Sequence, residues 1–110
     1  MTSDIYPIIY NINFLMKKIF TLMKSTTHQF EEVRRVLSKH SLDEIHSANF
    51  SITESFSVFY DLAEDLNKMN SMNYSFKVKL FLEKYTKFVE NLERRVNICM
   101  SKSRNPSTMI

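Results

Sequence analysis

The sequence predicts an all-α fold: an elongated, antiparallel three-helix bundle, coiled-coil-like, with no β-sheet. Three observations carry this. The 110 residues include no glycine, where average usage would give roughly eight. The two prolines, Pro7 and Pro106, lie near the ends, so the 98 residues between them hold no strong helix breaker. From Val78 to Cys99, apolar or aromatic residues fall at 78, 82, 85, 89, 92, 96 and 99. Steps of four and three trace one stripe along a helix.

The first helix is expected over about 5–39. Pro7 falls in its first turn, where a missing N–H costs nothing. Ile5, Ile8, Ile12, Leu15, Ile19 and Leu22 form an apolar stripe that resumes at Val33 and Val36. Ile9, Met16, Met23, Phe30 and Leu37 repeat every seven residues beside it. A face this wide belongs to a bundle helix. The phase survives the polar patch Ser25–Gln29, which favours one helix about 50 Å long; a break at Ser25–Thr27 is the alternative. Two capping-box signatures follow, Ser41-Leu-Asp-Glu44 and Ser51-Ile-Thr-Glu54, in which each partner would satisfy an orphan N–H of the other. The first opens a short helical turn over about 42–48, and the second opens helix two, expected over 52–70. Ile52, Phe56, Phe59, Ala63 and Leu66 form its buried face, widened by Leu62 and Met69. Asn70–Asn73 makes the turn, helix three runs over 75–100, and residues 101–110 form a disordered basic tail. Helices one to three make a single domain over 1–100.

Charge is divided by element. Residues 1–39 hold six basic and three acidic residues, 40–73 one and six, and 74–110 eight and three, within a net charge of +3. An acidic middle helix between two basic ones favours antiparallel neighbours, at a few tenths of a kcal/mol per exposed pair. The expected lengths do not match, however. A helix two of about 19 residues cannot cover a helix one of about 33, which leaves apolar surface for another polypeptide.

The function classes narrow by exclusion. Without glycine, phosphate-cradling loops and dinucleotide fingerprints lose their usual residue. His28, His40 and His46 match no metal-ligand spacing, and no nucleophile–base pair can be assembled. The expectation is a non-enzymatic chain without catalytic residues, cofactor or metal. The single Cys99 excludes an internal disulfide and suits a reducing compartment. No segment reads as a secretory signal, and Ile5–Met23 is too broken by asparagine and lysine to span a membrane. The expected setting is intracellular, nuclear or cytoplasmic.

Two features exceed what a closed core needs. Tyr6, Tyr10, Phe14 and Phe20 lie off the core stripe of helix one; either this half of the helix lies in the middle of the bundle, or, as favoured, the four form an exposed partner-binding surface. Lys84, Lys87, Arg94, Arg95, Lys102 and Arg104 approach a cationic stripe, which reads either as a solvated face balanced by the acidic second helix or as an electrostatic contact with a partner. Expected partners are therefore other protein subunits, helical in kind, or a second copy of the chain; direct nucleic-acid contact is the less favoured route. Over roughly residues 5–100 this architecture resembles the small helical subunits of kinetochore and centromere assemblies, of transcriptional co-activator complexes and of vesicle-tethering complexes. The resemblance rests on no diagnostic motif. It implies an adaptor or scaffold role, the chromosome-associated setting suiting the basic third helix best. The alternative is a small nucleic-acid- or membrane-surface binder acting through that helix.

Overall fold

The computed structural model is an all-α bundle of three helices: α1 (Ile5–Lys39), α2 (Leu42–Met69) and α3 (Phe76–Arg104). It describes residues 5–39, 41–71 and 75–104, with side chains from Ile8 to Lys102. His40 and the predicted tail beyond Arg104 lie outside the described residues. The Cα trace extends 67 × 20 × 15 Å, a rod built on sevens. Ile12, Ile19, Thr26 and Val33 of α1 are at most 5% exposed, and Ile45, Ile52, Phe59 and Leu66 of α2 at most 3%. From α3, Val78, Val89, Leu92, Val96 and Met100 close the core. Each fully buried Val, Leu, Ile or Phe contributes about 1.5–3 kcal/mol.

α1 is unbroken through the polar patch. Thr26 is fully buried on the core row, and its hydroxyl donates to the Leu22 carbonyl at 2.7 Å. Thr27 does the same to Met23 at 2.9 Å. Gln29 then fixes the α1–α2 register: its Nε2 donates to Ser51 Oγ at 2.8 Å, and its Oε1 accepts from Ser55 Oγ at 2.6 Å. Of the predicted core rows, Ile9 departs, being 45% exposed.

The expectation for helix two is corrected. There is no separate turn at 42–48, and no helix start at Ile52; α2 is continuous for 28 residues. The seven-residue row reaches back to Ile45, so burial of that side chain holds the early turns in helix. Ser51, expected as a cap, sits inside the helix and serves Gln29 instead. Ser41 is the N-cap, in extended conformation (φ −87, ψ 111) and without a side-chain cap hydrogen bond. Asp43 and Glu44 in the first turn complement the positive helix end in its place. A 28-residue α2 beside a 35-residue α1 also reduces the expected length mismatch by about half.

α3 runs past the predicted boundary at Met100, so 101–104 are helical and not tail. The α2–α3 connection shows how a glycine-free chain turns. Asn70 is buried at 6% exposure; its Oδ1 accepts from the Ser75 N–H and its Nδ2 donates to the Ser75 carbonyl, each at 3.1 Å. One amide side chain thus pairs with both backbone groups of Ser75, and no left-handed residue is needed at this position. The start of α3 (Ser75, Val78) shares a cleft with Ile8, Ile12 and Met16 of α1, so α1 and α3 run parallel and α2 antiparallel to both.

Candidate interaction surfaces

The core uses one side of α1; the aromatic residues off that side are exposed. Tyr10 is 69%, Phe14 49% and Phe20 46% exposed. Tyr10 and Phe14, one turn apart, stack with centroids 6.5 Å apart and planes 11° from parallel. Lys18 Nζ lies 5.2 Å from the Phe14 centroid, and Lys24 Nζ 4.8 Å from that of Phe20. Cations over rings shield apolar faces without burying them. The predicted four do not form one patch. Phe14 and Phe20 are six residues apart, about a third of a turn round the helix. The side chain of Tyr6 lies outside the described residues.

Phe14 opens onto a groove between α1 and α2 of about 610 Å³, walled also by Lys17, Lys18, Leu22, Val58 and Leu62. Val58 is 47% exposed. Sequence reading placed Leu62 on the core face and passed over Val58. The available signal was their four-residue spacing, offset from the row of Ile52, Phe59 and Leu66.

The second surface is the outward side of α3. Starting from Leu80, steps of four and three reach Lys84, Lys87, Asn91, Arg94 with Arg95, Ile98 and Lys102, all exposed. Going back from Leu80 they reach Phe76 and Lys77, also exposed. This stripe holds six cations and no carboxylate, with Glu83, Glu90 and Glu93 directly beside it. Glu90 and Glu93 share a cleft with Arg94, Lys102 and Tyr60, and Glu83 and Glu90 share one with Lys87, Tyr60 and Ala63. Four of the predicted electrostatic residues, Lys84, Lys87, Arg94 and Lys102, stand free of any acidic partner among the described residues. Arg95 is different: its guanidinium sits 4.6 Å from the centroid of buried Phe30 and so packs α3 on α1. The side chain of Arg104 lies outside the described residues. The apolar members Phe76, Leu80 and Ile98, at 69%, 50% and 50% exposure, were not foreseen, although the same steps of four and three pick them out.

Electrostatics within the bundle are local. The ion pairs among the described residues, Arg34–Glu31, Arg35–Glu32 and Lys68–Glu64, all lie within one helix. The expected attraction between oppositely charged helices is thus not expressed as ion pairs among the described residues. Between α2 and α3 the link is Tyr60, whose hydroxyl donates to Glu93 Oε1. Burial, then that hydrogen bond and the charges of Glu93 and Glu90, push the Tyr60 phenol well above its ordinary range. His28 and His46 are exposed on separate helices and Cys99 is half-buried; among the described residues no three His, Cys, Asp or Glu side chains are grouped to hold a metal. No described helix is long and apolar enough to cross a membrane. No family model matches the chain, and no curated protein or solved structure matches it.

Proposed function

We propose that this chain is a non-enzymatic helical adaptor, a scaffold subunit of a larger intracellular protein complex. It docks another helical polypeptide on the face where α1 meets α2. The observation that supports this is the stacked, exposed Tyr10–Phe14 pair, whose Phe14 opens onto the apolar groove. Those rings add nothing to a core already supplied by Ile12, Leu15 and Ile19, and exposed aromatics beside an apolar groove are where binding energy concentrates. A chromosome-associated setting, such as a centromere or kinetochore assembly, suits such a subunit because the cationic stripe of α3 complements acidic or nucleic-acid-bearing neighbours.

The test is quantitative co-purification from the cell of origin, comparing the parent with Tyr10→Ala/Phe14→Ala. At about 2 kcal/mol or more for each central aromatic, the double change should weaken partner binding at least about a hundredfold with helicity unchanged. A folded variant that keeps every partner overturns the reading.

The six-cation stripe supports a second reading, direct binding of nucleic acid or an anionic membrane surface by α3. Lys84→Glu with Lys87→Glu is its probe, leaving Arg95 on Phe30. A loss of binding that disappears as salt rises marks this contact. If only this change abolishes binding, the second reading replaces the first.

A further inference from the structure

We infer that the occupant of the α1–α2 face is a second copy of this chain, joined as a two-fold dimer. This rests on the reading of the Tyr10–Phe14 face as a docking surface and names its partner.

The groove has two unlike rims. On α1, Lys17, Lys18 and Thr21 follow Phe14 at three, four and seven residues, so they share its face. On α2, Asp61, Leu62 and Asp65 follow Val58 at the same spacings. Lys17, Lys18, Asp61 and Asp65 are all exposed. One rim is thus cationic and the other anionic, with Leu22 and Leu62 half-buried between them.

The axial level of the two rims follows from Gln29. It bonds Ser51 and Ser55 of antiparallel α2, so each step back along α1 is a step forward along α2. Residues 17–21 therefore stand level with about 61–65. Yet no ion pair crosses the groove among the described residues, and both charged sets are left for something outside.

A partner that fits must carry an acidic strip opposite Lys17 and Lys18, a basic strip opposite Asp61 and Asp65, and apolar groups between. The chain itself meets all three conditions. Rotation by half a turn about an axis along the groove keeps every axial level and exchanges the rims. The α1 of each copy then lies against the α2 of the other, lysines facing aspartates twice over. Phe14 and Val58 of both copies fill the seam. A two-fold interface requires this kind of self-complementary patch, and opposed charges fix its register.

Charge exchange provides the test, read by sedimentation equilibrium of the full chain over a wide concentration range, with circular dichroism as the folding control. The parent is expected to dimerise. Lys17→Glu/Lys18→Glu and Asp61→Lys/Asp65→Lys, each as a separate variant, should weaken the dimer at least about tenfold. Mixing the two variants should restore a heterodimer, and the chain carrying all four changes should dimerise again. A parent that stays monomeric at every concentration overturns the inference, as does failure of the mixed, folded variants to recover. A monomeric parent whose Tyr10→Ala/Phe14→Ala form still loses a co-purified protein would leave the docking reading standing and remove only the second copy as its occupant.

Discussion

Tyr60 is the one polar side chain that bonds α2 to α3 among the described residues, and its ionisation gives that contact a pH signature. In the unfolded chain the phenol ionises near pH 10. In the fold, burial and the hydrogen bond to Glu93 hold the proton on to a higher pH. The folded state therefore binds more protons than the unfolded state above about pH 10, and stability must fall there. Below that pH the contribution is fully present. Tyr60→Phe has no proton to lose, so above about pH 10 its melting temperature should decline less steeply than the parent's, while near neutrality the two stay close. Parallel declines would show that the phenol meets the same surroundings in both states. Other residues show where sequence reading stops. Thr26 stands in the row Ile12, Ile19, Val33, and the sevens were visible. Its polarity hid it, because satisfaction by a carbonyl four residues back is a local hydrogen bond that no apolar pattern records. The role of Asn70 was equally hidden: a cap can be expected from an asparagine, but not which backbone groups its amide will meet.

At the scale of elements, α1 and the seam of α3 were legible because long, regular apolar rows outweigh local signals. α2 was not, and the reason is physical. Ser51-Ile-Thr-Glu54 is a genuine capping pattern, but a cap is worth about 1 kcal/mol. Continuing the helix buries Ile45 instead and joins Ser51 and Ser55 to Gln29. Burial of one isoleucine outweighs one cap, so the capping signal loses. This makes a sharp prediction at Phe50, which is 67% exposed and whose ring therefore contributes little. Were residues 49–51 a connection, proline there would be tolerated. In the middle of a continuous α2 it removes a backbone hydrogen bond and clashes with the preceding turn, costing about 3 kcal/mol or more. Phe50→Pro should therefore be strongly destabilised in urea melts while Phe50→Ala stays close to the parent. Equal stability of the two would place a break in α2. The proposed docking face was half legible for a related reason. Aromatics in excess of the core stripe of α1 announce a surface, but the α2 wall, Val58 and Leu62, depends on which α2 residues stand beside which α1 residues. That register is set by Gln29 across 22 and 26 residues of sequence, beyond any local pattern.

For the whole molecule, the consequence of this packing is an unequal rod. α1 and α2 approach each other more closely than either approaches α3. Small buried residues, Thr26 and Ser55, permit the close approach, and Gln29 ties it. Toward α3 the half-buried rings of Phe81 and Tyr85, with centroids 4.6 Å apart, stand against the core and hold the third helix off. Among the described residues no ion pair binds α3 to the rest; it is held by its apolar seam, by Arg95 over Phe30 and by Tyr60 on Glu93. Local opening follows the density of buried contacts, so amide exchange should be slowest through the buried spans of α1 and α2, residues 12–36 and 45–66, and faster throughout α3. Leu92, 4% exposed at the centre of the α3 seam, is the point at which to press. Leu92→Ala should lower overall stability by about 2–5 kcal/mol and should release α3 first, speeding exchange there while the α1–α2 pair retains most of its protection. If instead α3 is as protected as α1 and Leu92→Ala speeds exchange equally in all three helices, the rod opens as one cooperative unit and the wider spacing of α3 carries no energetic difference.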